Sequence, residues 1–173
     1  MIVTIRDLTK DDGISFKADI TIKLPMEEAK LKEILGDDEW IIVDAPLGDE
    51  HTSILKLNKV CRFWTEKYSE NDLNIVAQSY LFSEIAEAMD ADIEFIIVSY
   101  EDIASEWNNG NGYYPSEDWL GLALFTAGYA HLPFKYEEAM EDYIRWDNVW
   151  HTAESEGWRH ISYGGRTYMV NRR

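Results

Sequence analysis

Ile14, Phe16, Ala18, Ile20, Ile22 and Leu24 alternate with Ser15, Lys17, Asp19, Thr21 and Lys23. Period two over that length predicts a strand with one wet face. Ile2 to Arg6 predicts a shorter strand, and Asp11-Asp12-Gly13 supplies turn chemistry for a hairpin between the two. Pro25 is suited to open a helix, with Glu27 and Glu28 near its positive end. Leu31, Ile34 and Leu35 give that helix an apolar face, and Gly36 stops it. Trp40 to Val43 predicts a third strand. Residues 1–50 therefore read as a small sheet with one helix.

The period then changes. Leu57, Val60, Cys61, Trp64 and Tyr68 recur at helical spacing between Thr52 and Tyr68. Cys61 sits in that stripe, which predicts a packed core thiol. Asn71 or Asp72 is placed to cap the next helix, whose stripe is Leu73, Val76, Ala77, Tyr80 and Leu81. Glu84 would fall inside that stripe if the helix ran on. An interruption near Phe82-Ser83 is expected instead, with Ser83 capping a short helix to Met89. Ile93 to Val98 reads as a strand or a buried connection, and Glu101 to Trp107 as one or two helical turns. Asn108-Asn109-Gly110-Asn111-Gly112 is a loop by composition. Ser116 to Tyr129 predicts a helix capped by Ser116. Its stretch Trp119 to Ala130 is nearly uncharged, so it is expected to be the most buried helix, or the dimer contact if it proves exposed. Tyr136 to about Trp150 predicts an amphipathic helix, and Ile161 to Val170 a hairpin turning at Gly164-Gly165. The sum is an α+β chain with antiparallel sheets at both ends and a helical middle. The expected parts are 1–50, 51–110 and 111–173, abutting without linkers.

Charge sharpens this picture. Residues 68 to 134 contain no lysine and no arginine, yet they hold twelve carboxylates. These are Glu70, Asp72, Glu84, Glu87, Asp90, Asp92, Glu94, Glu101, Asp102, Glu106, Glu117 and Asp118. The same stretch is rich in aliphatic and aromatic residues, which an acidic disordered tail lacks. The expected product is a folded body with a surface of one sign. Self-repulsion makes such a surface costly, and a basic partner makes sense of it. The net charge of −17 is concentrated here: residues 61–140 hold 15 acids and 3 bases, whereas residues 141–173 hold five of each. Nucleic acid is disfavoured as a ligand, because binding it needs Lys and Arg to replace counterions. A protein that itself binds nucleic acid is favoured. Carboxylates three or four residues apart on a helix lie ~5–6 Å apart. Phosphates on each strand of B-DNA recur every ~3.4 Å of rise. The plain alternative is a solvated acidic face with no partner.

Catalytic and metal chemistry find little support. His51, His131, His151 and His160 lack metal-ligand spacing, and the single cysteine excludes both a thiolate zinc site and an internal disulfide. Asp90-x-Asp92-x-Glu94 begins like a calcium loop, but Phe95 stands where glycine is required. There is no phosphate-cradling loop around Gly110-Asn111-Gly112 and no nucleophile elbow. Paired carboxylates with tryptophans evoke glycoside hydrolysis. Among 33 acids, however, some pair always falls at a plausible separation. No catalytic residue, metal or cofactor is expected. Seven Trp and ten Tyr suggest that some aromatics face a partner. Met1 to Lys10 has no signal-peptide pattern, and no apolar run approaches ~18 residues, so a cytoplasmic protein is expected.

Several collinear segments carry a resemblance. They are Leu24-Pro25-Met26-Glu27-Glu28, Asp38-Glu39-Trp40-Ile41-Ile42-Val43-Asp44, Ser53-Ile54-Leu55-Lys56-Leu57-Asn58, and Tyr143-Ile144-Arg145-Trp146 before the closing hairpin. In order and spacing, over roughly residues 14 to 170, the chain resembles the ArdA-type antirestriction proteins of plasmids, conjugative transposons and phages. It departs from them at Arg145, where the family usually has an acid, and at Ala45-Pro46, where it usually has an aromatic-acid pair. The segment Asn108 to Pro133 is longer and more aromatic. The resemblance implies an elongated, dimeric α/β protein whose acidic surface imitates bent DNA. Such a protein occupies the DNA-binding groove of type I restriction–modification enzymes and blocks restriction and often modification, without catalysis. The twelve carboxylates would be its contacts. Two other readings stay open: an inhibitor of another defence nuclease, such as a CRISPR effector, and an ordinary acidic enzyme or interaction domain.

Overall fold

A computed structural model describes residues 1–10, 18–105 and 115–173. The turn Asp11-Asp12-Gly13, the strand positions Ile14 and Phe16, the loop 108–112, and Glu106 and Trp107 lie outside the described residues. The fold is α+β, with one three-stranded antiparallel sheet near each end of the sequence and helices between. Among the described residues no helix is long and apolar enough to cross a membrane. The chain forms two compact units, Met1–Ile93 and Glu94–Arg173. This differs from the three parts that the composition suggests. The strand after Ile93 pairs with the C-terminal hairpin, so residues that look continuous with the acidic middle belong to the second unit.

In the first unit, β1 (Ile2–Asp7) lies between β2 (Asp19–Lys23) and β3 (Trp40–Asp44). Alternation places Val3, Ile5 and Asp7 inside. Burial raises the Asp7 carboxyl, but hydrogen bonds from Lys10 and Thr9 outweigh it and hold the group at about 2. Helix α1 (Glu28–Leu35) ends at Gly36 as expected but begins three residues after Pro25. Met26 explains the delay. Its N–H donates to Asn58 Oδ1 at 2.8 Å, and its carbonyl accepts from Asn58 Nδ2 at 3.0 Å. The carbonyl is thus committed to helix α2 (Ile54–Lys67) before α1 can use it. Helix α2 is capped by Ser53 and buries Ile54, Leu57, Val60, Cys61 and Trp64. Cys61 is a core thiol, pushed up to about 11 by burial. Two short helices follow, α3 (Glu70–Ala77) and α4 (Phe82–Asp90). The expected interruption occurs, but at 78–81 and not at Phe82-Ser83, which begin α4, and Leu81 occupies the cap position in place of Ser83.

In the second unit β6 (Arg166–Arg172) is central, flanked by β4 (Phe95–Ser99) and β5 (Arg159–Tyr163). Gly164 and Gly165, at φ 59° and 77°, make the two-residue hairpin turn that favours left-handed backbone. One turn of helix, α5 (Tyr100–Ala104), follows β4. Helices α6 (Glu117–Thr126) and α7 (Trp146–Ser155) pack on the sheet. Their core joins Val98, Leu120, Ala123, Leu124, Trp150, Ala153, Trp158 and Met169. Burial of Leu120, Ala123 and Leu124 within their own unit removes most of α6 as a dimer contact, although Trp119 is 42% exposed.

The helix expected over 136–150 is broken. A 3-10 helix, Glu138–Tyr143, gives way to extended Ile144 before α7. Tyr136 and Trp146 both pack on Phe125, at centroid distances of 5.0 and 5.3 Å, and lie 6.3 Å from each other. Ten residues of continuous helix would hold them ~15 Å apart. The aromatic trio therefore overrides the helical period. The α6–α7 crossing depends on Gly121, where an added Cβ would lie 2.0 Å from the Trp146 carbonyl oxygen and 3.1 Å from the Trp150 nitrogen. Gly121→Ala is expected to destabilise the protein by about 1–3 kcal/mol through overpacking. Chemical denaturation reads this as a lowered midpoint, and an unchanged midpoint would mean that the helices do not approach so closely.

Candidate acidic interaction surface

Eleven of the twelve carboxylates in the base-free stretch lie among the described residues; Glu106 does not. Most of the eleven have local work. The cap of α3 is Ser69, not Asn71 or Asp72. Ser69 Oγ accepts the Asp72 N–H at 3.1 Å, while the Asp72 carboxylate accepts the Ser69 N–H at 2.9 Å, a reciprocal capping box. Glu70 lies 3.5 Å from the amino group of Met1. Glu84 accepts the Leu81 N–H at 2.8 Å and so covers the start of α4. Glu101 accepts the Thr167 N–H at 2.8 Å, and Asp102 pairs with Arg166, which also donates to Ser99 Oγ. Asp118, in the first turn of α6, accepts the Asp147 N–H at 3.0 Å and so ties the starts of α6 and α7 together. Glu117 lies 3.4 Å from His151. Asp92 pairs with Lys67 at 2.7 Å. Glu94 is exposed at the start of the second unit.

A stretch without bases in sequence is therefore not without bases in space. Arg166, Lys67, His151 and the Met1 amino group reach into it from elsewhere. Two exposed carboxylates, Glu87 and Asp90, have neither an ion pair nor a hydrogen bond among the described residues. With Glu84 they follow one row of α4 at spacing i, i+3, i+6, opposite buried Ile85, Ala86 and Ala88. Neighbours in such a row stand ~5–6 Å apart.

Glu87 and Asp90 also stand at the wrong end of the helix. They occupy its C-terminal half, where the macrodipole favours cations, and its last turn holds no base. The helix closes with a Schellman motif, in which Ile93 N–H donates to Ala88 O at 2.8 Å and Asp92 N–H to Met89 O at 3.1 Å. The left-handed position of that motif is Asp92, at φ 53°. The same motif ending α6 uses Gly128 at φ 77°. Glycine takes that conformation without cost, and Asp is among the few L-residues that adopt it. At this one helix end, then, Glu87 and Asp90 stand against the dipole, while the left-handed Asp92 is partly offset by its ion pair with Lys67.

Carboxylates outside the base-free stretch also contribute. Glu137, Glu138 and Asp142 are exposed in the second unit. Their sequence reads as the polar side of a helix that does not form, and Lys135 sets them outside the base-free stretch. Asp37 and Glu39 are likewise exposed between α1 and β3. Among the described residues no group of three His, Cys, Asp or Glu is arranged to hold a metal ion. Comparison of the chain with protein families, with curated proteins and with solved structures finds no match.

The acids divide into structural and uncompensated sets, and stability separates them. Asp72→Ala is expected to cost about 1 kcal/mol through loss of the capping box. Glu87→Gln and Asp90→Asn are each expected to raise stability by about 0.3–1 kcal/mol by relieving the helix end. Urea denaturation of the three variants checks the opposite signs.

His151 gives a separate test. The hydrogen bond to Glu154, at 3.1 Å, raises its pKa above 6.5; burial works against this, and Glu117 adds to it. A raised folded value means that its contribution to stability is full below pH 6.5 and is lost as pH rises through the folded pKa. Nuclear magnetic resonance titration should place the His151 midpoint above 6.5 and find it lowered by Glu154→Gln.

Proposed function

We propose that the protein is a DNA mimic that occupies the DNA-binding groove of a type I restriction–modification enzyme. It blocks restriction, and modification with it, and carries out no reaction of its own. The observation that carries this reading is the α4 row, where Glu87 and Asp90 are exposed, uncompensated and placed against the helix dipole. Residues kept at a local cost mark function more often than chance. The net charge of −17 supports the same reading, since the long-range field it creates steers a basic groove toward the chain. So does the resemblance in order and spacing to ArdA-type antirestriction proteins. That resemblance also supports a homodimer and a place in the host cytoplasm.

How the surface would work follows from its charges. A groove built for DNA carries Lys and Arg, whose field attracts any polyanion that fits it. Carboxylates held on a packed scaffold enter with little loss of conformational entropy, whereas a flexible acidic tail would lose much more. Helix caps that fix Asp72 and Glu84 also hold the ends of α3 and α4, and hence the row beside them, in place.

The test is a competition titration against a fluorescent duplex bound to a purified type I methyltransferase complex. Near-stoichiometric displacement is expected at low salt. Combining Glu87→Gln and Asp90→Asn is expected to leave the fold intact and to weaken the displacement. No displacement by the wild-type chain at any ratio would remove the type I reading and point to another basic nucleic-acid channel, such as that of a CRISPR effector.

A further inference from the structure

The 3-10 helix Glu138–Tyr143 presents an apolar ridge that the unit's own packing does not use. Residues three apart in a 3-10 helix eclipse one another, so Met140 and Tyr143 share one edge. Met140 is 38% exposed and Tyr143 is 85% exposed. Phe134, just upstream, is 46% exposed. The same segment does contribute to packing, but through Tyr136, which lies against Phe125 and Trp146. The ridge is a separate feature of the segment, turned outward.

Its rim is mainly acidic. Glu137, Glu138 and Asp142 are exposed, and the one base in residues 134–143 is Lys135. An apolar centre with a charged rim is the layout of a protein interface, and tyrosine is prominent among the residues that dominate binding energy. A rim of carboxylates selects a basic partner surface with an apolar recess. DNA offers no comparable group, because its phosphates and sugars line the outside of the duplex.

We propose that Met140 and Tyr143 form a second, apolar contact with the same basic partner that the carboxylate surface engages. This rests on the DNA-mimic reading. It gives the complex a component that salt does not screen, so the mimic outlasts DNA as ionic strength rises. Electrostatic contacts weaken steeply with salt, whereas burial of apolar surface does not.

The experiment measures affinity of the full chain for a purified type I methyltransferase complex, without DNA, at several salt concentrations. Wild type is compared with Met140→Ser/Tyr143→Ser and with the Glu87→Gln/Asp90→Asn variant. The apolar variant is expected to lose about tenfold or more in affinity by the same factor at every salt, giving a line parallel to wild type. The charge variant is expected to change the slope. Circular dichroism melting should match wild type for Tyr143→Ser alone, whose side chain is 85% exposed, and this single variant keeps the test independent of Met140, which is 38% exposed. Equal affinity of the apolar variant and wild type would overturn the ridge while leaving the mimic reading intact. Failure of wild type to bind would overturn both. Light scattering covers the remaining occupant: a fall from dimer to monomer with unchanged enzyme affinity would make the ridge a contact between copies and overturn the proposal.

Discussion

Like charges crowded onto a small chain must be placed where something answers them. That constraint organises the acidic middle of this protein. Glu70 and Asp72 open α3, Glu84 opens α4, Glu101 and Asp102 open α5, and Glu117 and Asp118 open α6. Each pair or single acid stands at a positive helix end, where unpaired N–H groups and the macrodipole favour negative charge. Short helices supply many such ends. The interruption between α3 and α4 creates one more, and Glu84 uses it at once. A single long helix through residues 70–90 would offer one positive end in place of two. The short elements and the acidic composition are thus two sides of one solution.

Against that background the exceptions carry information. Glu87 and Asp90 stand at a negative helix end, and Asp92 takes a left-handed position that α6 gives to glycine. A chain that compensates most other acids of the base-free stretch did not lack the means to do so here. Lysine at position 87 or 90 and glycine at 92 would each favour local stability. The cost is small beside the 5–15 kcal/mol stability of an ordinary domain, so it is sustainable. It is concentrated on one face, which is how a binding surface differs from acidity spread for solubility.

Much of the fold is legible in the residue pattern, because the strongest signals are local. The alternation at 19–23, the stripe Leu57, Val60, Cys61 and Trp64, and the Gly164-Gly165 turn each point to the element that forms. Glu84 is legible too, since a carboxylate cannot continue an apolar stripe. What the pattern misses depends on distant partners. Asn58 holds the Met26 carbonyl and delays α1. Phe125 gathers Tyr136 and Trp146 and breaks a helix whose period looks sound. The acidic surface is legible only as a composition. Arg166 lies 64 residues from Asp102 in the chain and pairs with it in space. No count along the sequence could separate the neutralised acids from Glu87 and Asp90.

A mimic that competes with DNA faces a quantitative handicap that bears on the whole design. DNA presents about one charge per 1.7 Å of axis, counting both strands, whereas a helix row of carboxylates presents one per ~5–6 Å. Charge density alone therefore favours DNA. The protein has two compensating advantages. Its charges are fixed on packed elements, with caps that hold the helix ends, so less ordering entropy is lost on binding. It can also place apolar side chains beside its carboxylates, as at Glu137, Glu138, Met140 and Tyr143. Burying a large side chain contributes roughly 1.5–3 kcal/mol, comparable to or larger than what an exposed ion pair contributes. A few such anchors offset many missing phosphates, and they do so without salt dependence. A protein inhibitor of a DNA-binding groove thus gains least by matching the duplex charge for charge. It gains most by matching it approximately and adding contacts that a duplex does not have.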